Sequence, residues 1–193
     1  MGKSEQTKAF IIEKTAPLFN SKGYAGTSLN DMTDATRLTK GSIYGNFANK
    51  DEVAVAAFEY NVNKIRSIVY PKVAESISAK NKLMAYGEVY TNPDKYNFPV
   101  GGCPILNTAT EADDTHPELQ VKVAGAINTW KKNFIRIIQE GIENKEFSKN
   151  IDPEQVAISL IALLEGGIMI SKATGKSTGP HIMKTFRNLV DQL

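Results

Sequence analysis

Apolar side chains recur along this chain at steps of three and four, and the period-two alternation of a half-buried strand is rare, so the pattern predicts helices throughout. Ile12, Ala16 and Phe19, flanked by Ile11 and Leu18, predict a first helix that stops at Lys22-Gly23, where glycine takes the left-handed position after a helix end. Pro17 falls inside it. A proline there forfeits a backbone bond at a cost of about 3 kcal/mol and predicts a bend, convex toward solvent. Ser28 followed by Asp31 forms a capping box ahead of a short helix with Leu29, Met32 and Ala35 on its apolar face, ending by Arg37. Thr39 caps a second short helix. In it Ile43 and Phe47 face inward, leaving Lys40, Ser42, Tyr44 and Asn46 on other faces. Asn49 with Glu52 then opens a long helix through Val53, Ala57 and Tyr60 toward Pro71. Two short helices between two longer ones outline a DNA-binding module.

Beyond Pro71 a weakly amphipathic helix around Lys82 to Tyr90 leads into Asn92-Pro93 through Gly101-Gly102, whose prolines and glycines mark a loop. Residues 103–114 predict a short helix. From Pro117 to Phe147 the stripe Ile127, Trp130, Phe134, Ile137 and Gly141 predicts a long one. Asp152-Pro153-Glu154-Gln155 supplies a cap, a proline at the first helical position and a capping box for a further helix, apolar nearly all round from Val156 to Ser171. Gly179-Pro180 introduces a last helix carrying Ile182, Phe186, Leu189 and Leu193.

Composition narrows the class. The chain has 193 residues, 41% of them hydrophobic, which is enough for a sizeable core. A net charge of +2 excludes a polycation that coats nucleic acid by charge alone, so any basic patch is local. The first fifty residues hold seven basic side chains against four acidic, which places that patch N-terminal. One cysteine, Cys103, excludes an intramolecular disulfide framework and suits a reducing compartment, so the expected location is the cytoplasm. Neither a signal peptide nor a membrane span is expected: the start has no apolar run, and the stretch from Val156 is bounded by Gln155 and Lys172 and broken by Ser159 and Glu165.

The most informative stretch is 23–53, GYAGTSLNDMTDATRLTKGSIYGNFANKDEV. The face opposite Ile43 and Phe47 presents Thr39, Lys40, Gly41, Ser42, Tyr44 and Gly45, small or hydrogen-bonding groups that let a backbone approach a groove and donate to phosphates or base edges. No acidic side chain lies on that helix. Lys50 stands in the first turn of the following helix, where free N–H groups and the positive dipole end favour phosphate, and Thr27 with Ser28 repeats the arrangement one helix earlier. Singly, Thr27, Ser28 and Thr39 read as helix caps; their joint spacing carries the binding reading.

These residues resemble the DNA-binding signature of the TetR family: a glycine-aromatic pair, threonine-serine, a short helix, then Thr39-Lys40-Gly41-Ser42-Ile43-Tyr44, Phe47 and Lys50-Asp51. The resemblance covers the N-terminal third; beyond it the likeness lies in helix count and length. It implies an all-α fold of about nine helices, with a three-helix helix-turn-helix DNA-binding domain at 1–50 and a larger helical effector-binding and dimerisation domain at 51–193. It implies Thr27, Tyr44 and Lys50 as phosphate clamps, with Thr39, Lys40, Ser42 and Gly45 near bases. Two positions depart from the family pattern. Arg37 stands where glycine or asparagine is frequent, and so enters a strained left-handed conformation or reaches a phosphate. Asn46 replaces a frequent histidine and, with Gly45, alters the recognition surface, so no operator sequence carries over.

The resemblance and the residues together predict a ligand-responsive regulator, most simply a repressor released from double-stranded operator DNA by a small molecule or electrophile. The alternative is a constitutive DNA-binding protein without an effector. The apolar Val156–Ser171 helix cannot be covered on every side by one layer of helices, which predicts a homodimer with Gly166-Gly167 allowing close helix approach. Tyr60, Tyr86, Tyr90, Trp130 and Phe134 are the candidates for an apolar effector pocket, beside their reading as plain core. Cys103, ahead of Pro104, takes the N-cap position where a helix end favours thiolate, beside its reading as a small buried hydrophobe. His116 and His181 are too isolated for a metal site, no cofactor is expected, and a cysteine hydrolase lacks its other members, so no catalytic residue is assigned.

Overall fold

The computed structural model describes residues 2–112 and 116–193. In chain order its helices are α1 (Lys3–Gly26), α2 (Leu29–Thr36), α3 (Lys40–Tyr44), α4 (Lys50–Glu75), α5 (Ala79–Thr91), α6 (Pro104–Ala112), α7 (Pro117–Glu143), α8 (Pro153–Thr174) and α9 (Gly179–Asp191), with no strand among the described residues. The all-α expectation and its helix count hold. Asp113 and Asp114, at the end of the segment expected as a short helix, lie outside the described residues.

Local signals set most helix starts. Ser28 Oγ accepts from the Asp31 N–H at 3.1 Å while the Asp31 carboxylate accepts from the Ser28 N–H at 2.8 Å, a closed capping box. Thr39 Oγ1 accepts from the Ser42 N–H at 3.2 Å. At α4 the Asn49 side chain accepts from the Glu52 N–H, but Glu52 reaches back to the N–H of Ala48 rather than Asn49. Ser78 caps α5 four residues before the apolar pattern becomes readable at Lys82, and Asp152 caps α8 with Pro153 in its first turn.

Three expectations are corrected. α1 contains Pro17 at helical dihedrals and breaks at Gly23, with φ 77° and ψ 176°. The positive φ is as expected, but that ψ is extended, so the chain resumes its helix as far as Gly26 rather than stopping. α4 runs past Pro71 to Glu75. α7 ends at Glu143, short of Phe147, because Lys145 turns left-handed at φ 60° and the N–H groups of Glu146 and Phe147 both fold back onto the Gly141 carbonyl.

The chain divides into two compact units, Met1–Lys64 with Pro99–Gly125, and Ile65–Phe98 with Ala126–Leu193; α4 and α7 each contribute to both. The core of the first is built from Ile11, Ala16, Phe19, Met32, Ile43, Phe47, Val53 and Ala57. In the second, α9 packs on α5 and α8. Gly167 is required there, since a Cβ on it would lie 2.6 Å from Ile182. One face of α8, Ala157, Leu160, Leu164 and Gly167, is buried, while Ile158, Met169 and Ile170 on other faces are 52%, 53% and 44% exposed. By length and composition α8 alone among the described helices is apolar enough to cross a bilayer. Its Asp152 cap and its packing on α5 and α9 are those of a helix in a folded bundle.

Candidate nucleic-acid interface

α3 has only five residues, and a helix so short has no stability of its own. It is held from beneath: Ile43 is fully buried and Phe47 is 2% exposed. From its C-terminal end the Asn46 amide donates to the Ser42 carbonyl at 2.9 Å and accepts from Ser4 Oγ of α1 at 3.2 Å. Lys8 of α1 bonds Glu52 at 2.9 Å and lies 4.7 Å from the centre of the Phe47 ring. The Ala48 N–H and the Lys8 ammonium hold the Glu52 carboxyl below the usual range. Against this base Thr39, Lys40, Gly41 and Gly45 are exposed, and Ser42 and Tyr44 are partly so.

On either side stand helix starts. Ser28 is exposed at the start of α2, where Asp31, first through its bond to Lys22 and then through Ser28, stays ionised far below the ordinary carboxylate range. Asp31 therefore keeps this cap charged well into acid. Lys50, in the first turn of α4, rests its ammonium 4.2 Å from the centre of the Tyr24 ring, and the Tyr24 hydroxyl donates to Asp51. That bond, followed by partial burial, pushes the Tyr24 hydroxyl up to about 12, so Tyr24 remains a neutral donor under all working conditions. Thr27 differs from its neighbours: it is buried, and its hydroxyl donates to the Gly23 carbonyl at 2.7 Å. Arg37 is left-handed, as expected, at φ 58° and ψ 22°, with its N–H on the Thr33 carbonyl and its side chain exposed.

Sequence reading missed the layer behind these residues. Glu111 of α6 accepts from the N–H groups of Tyr24 and Ala25 at 2.7 and 2.8 Å. Asn107, one turn earlier, donates to the Asn20 carbonyl and to the Gly101 carbonyl, both at 2.9 Å, and Asn20 donates to the carbonyls of Val100 and Gly102. Gly101 meets this network at φ 91°, where a Cβ would sit 2.7 Å from the Asn20 carbonyl oxygen. No periodicity signals the contacts to α1, which join positions 80 to 87 residues apart.

Of the expected effector residues, Tyr86, Tyr90, Trp130 and Phe134 come together in the second unit. Tyr90 and Trp130 stack with centroids 4.6 Å apart, and Tyr86 meets Phe134 edge-on at 4.7 Å. Burial raises the Tyr86 hydroxyl well above its ordinary value. Tyr60 is 39% exposed and belongs to the first unit. Cys103, also in the first unit, is fully buried, and its carbonyl accepts the first bond of α6 from the Asn107 N–H, which makes it the N-cap residue by position.

A short solvent-facing helix without acid, seated on its partners by buried apolar side chains and flanked by two helix N-termini, defines a helix-turn-helix DNA-binding protein. A family model described as bacterial regulatory proteins, tetR family, matches residues 11–57, and one described as Tetracyclin repressor-like, C-terminal domain, matches 79–186. A TetR-family transcriptional regulator from Cytophaga hutchinsonii is 49% identical, with a TM-score of 0.94 over 98% of this chain and 96% of that one. A TetR regulator from Chloroflexus aurantiacus J-10-FL is 34% identical, with the same TM-score over 100% and 98%. The HTH-type transcriptional repressor DhaR of Mycobacterium sp. strain GP1 is 23% identical over 84% of this chain and 80% of its own. The chain belongs to the TetR family: it is a DNA-binding transcriptional regulator and not an enzyme.

A non-glycine residue held left-handed costs about 1 kcal/mol or more. Arg37→Gly is therefore expected to raise the unfolding free energy by up to about 1 kcal/mol, part of the relief being lost to glycine's freedom in the unfolded chain. Urea denaturation measures it; a lower midpoint would mean that Arg37 makes contacts worth more than its strain.

Proposed function

We propose that the protein is an effector-responsive repressor that binds operator DNA as a homodimer in the cytoplasm, with residues 1–50 carrying the DNA contacts and 51–193 the effector and dimer functions. The acid-free outer face of α3, fixed by Ile43 and Phe47, carries this reading. In it Tyr44 and Lys50 touch phosphate, Ser28 and Arg37 flank them, and Thr39, Lys40, Gly41, Ser42, Gly45 and Asn46 line the groove. Thr27, with its hydroxyl already donated, serves by shaping the start of α2.

The exposed apolar residues of α8 support the dimer, since a second copy is the simplest cover for them, and a two-fold pair doubles the operator contacts of one short recognition helix. A small apolar effector is supported by the aromatic cluster of the second unit, where the Trp130 N–H is buried without a hydrogen-bond partner among the described residues. A ligand acceptor would relieve that, since an orphaned buried donor costs about 1–3 kcal/mol. Release by a hundredfold requires only about 2.7 kcal/mol of coupling. The contacts of Asn107 and Glu111 with α1 offer a route into the DNA-binding module. The full burial of Cys103 favours packing over electrophile sensing.

Operator selected from random duplexes by the wild-type chain is the probe for the interface. Lys50→Ala is expected to weaken binding across sequences and lower the salt slope by about one, while Tyr44→Phe weakens binding with the slope unchanged; two variants that bind like wild type would remove these residues from the interface. Ile158→Lys with Met169→Lys, both at exposed positions, should give a folded monomer in light scattering and lose operator affinity; a dimer of unchanged mass would place the interface elsewhere. Treating operator complexes with N-ethylmaleimide is expected to leave wild type and Cys103→Ser equally bound, and release of wild type alone would instead make Cys103 the sensor.

A further inference from the structure

His116 immediately precedes α7, and its ring performs an unusual pair of tasks. Nδ1 accepts from the Leu119 N–H at 3.2 Å, so histidine is the N-cap of the helix. An accepting Nδ1 puts the proton of the neutral ring on Nε2. That atom is buried, has no hydrogen-bond partner among the described residues, and lies 3.6 Å from Asp51 Oδ1. The ring also meets Tyr24 edge-on, centroids 4.6 Å apart. Both neighbours belong to the array behind Lys50: Asp51 accepts from the Tyr24 hydroxyl, and the Tyr24 ring lies under the Lys50 ammonium.

We propose that neutral His116 is a positioning residue for DNA binding, fixing Asp51 and Tyr24 beneath Lys50, and that its protonation weakens operator binding. This rests on the assignment of Lys50 to the phosphate backbone. Histidine changes charge within the range pH 5 to 8. A second proton can enter only at Nδ1, where it meets the Leu119 N–H donor head-on and abolishes the cap, beside the positive end of the α7 dipole. The new cation draws Asp51 across the 3.6 Å gap in competition with the Tyr24 hydroxyl, and the ring that seats Lys50 loses its tether. Of the charged groups on the elements around it, Lys50 of α4 lies over the Tyr24 ring, Glu111 of α6 is occupied by the amides of Tyr24 and Ala25, Glu52 of α4 pairs with Lys8, Glu59 of α4 pairs with Lys122 of α7, Lys22 of α1 pairs with Asp31, and Glu118 of α7 is exposed. None of these relieves the clash at Nδ1. The predicted direction is diagnostic, because added positive charge by itself strengthens binding to DNA.

The test measures affinity for the selected operator at pH 8 and pH 5.5, at fixed salt, with the full-length chain. Wild type is expected to lose about fivefold on acidification, the equivalent of one capping bond. His116→Asn retains a capping acceptor that does not titrate, and should recover wild-type affinity at pH 8 and hold it at pH 5.5. His116→Ala should be weak at both. His181 is present in all three, so its contribution cancels, and thermal melts at each pH report the folded fraction. An Asn variant that follows the wild-type profile, or wild type that gains affinity in acid, overturns the proposal. Lys50→Ala at pH 8 separates the two readings: unchanged binding there sinks the phosphate assignment, whereas weakened binding without a His116-dependent pH difference sinks only the role of His116.

Discussion

The DNA-binding module depends on how α1 ends. At Gly23 the helix breaks, and the amides of Tyr24 and Ala25 lose the carbonyl partners that an uninterrupted helix would give them. Glu111 supplies both with one carboxylate. Any residue but glycine fails here twice: φ is 77°, and a Cβ would stand 2.5 Å from a Glu111 oxygen. The Gly23 carbonyl in turn accepts from Thr27, whose neighbour Ser28 caps α2. One long-range carboxylate thus sets the direction in which the helix-turn-helix begins.

The same face of α1 is gripped repeatedly. Asn61 of α4, itself buried, donates to the Ala16 carbonyl at 2.9 Å; Asn107 of α6 holds the Asn20 carbonyl; Glu111 holds the amide of Tyr24. Residues 16 and 20 are one helical turn apart, so Asn61 and Asn107 grip α1 along one line, and Glu111 holds the chain just beyond the break at Gly23. Tyr60 of α4 is exposed and takes no part in this grip. Its neighbour Asn61 makes the grip, and α6 shares the load. Either helix, if displaced, moves α1.

What the sequence made legible follows from the range of each interaction. Ser28, Thr39 and Asp152 bond amides two or three residues away, so their caps are visible in a short window, and Ile43 with Phe47 show a buried face by spacing alone. The left-handed Arg37 was readable only through the family pattern, in which glycine or asparagine is frequent at that position. Phe147 misled because it packs at Gly141 from beyond the helix end, where a Cβ on that glycine would come within 2.2 Å of the ring. Glu111, Asn107 and Asn61 carried no signal. On the sequence each is a polar residue on a helix, and only its partner distinguishes it from a solvated one. Thr27 shows the converse: its place in a known motif suggested an outward role, while local geometry turned its hydroxyl to Gly23.

Because α3 is too short to persist alone, the placement of its outward side chains is a property of whatever it rests on. Part of that support is again α1, at its other end, through Ser4 on Asn46 and Lys8 on Glu52 and the Phe47 ring. α1 therefore touches the recognition helix near its first residues and α6 near its last. One face of its middle, Ile11, Thr15, Ala16, Phe19 and Asn20, is buried, and the Thr15 hydroxyl there donates to the Ile11 carbonyl. A close-packed helix of this kind transmits a displacement along its axis rather than absorbing it, since interiors at this density have few voids into which to relax. The support of α3 and the bond of Asn107 thus lie at opposite ends of the unbroken stretch of α1 before Gly23, while Glu111 holds the segment beyond the break.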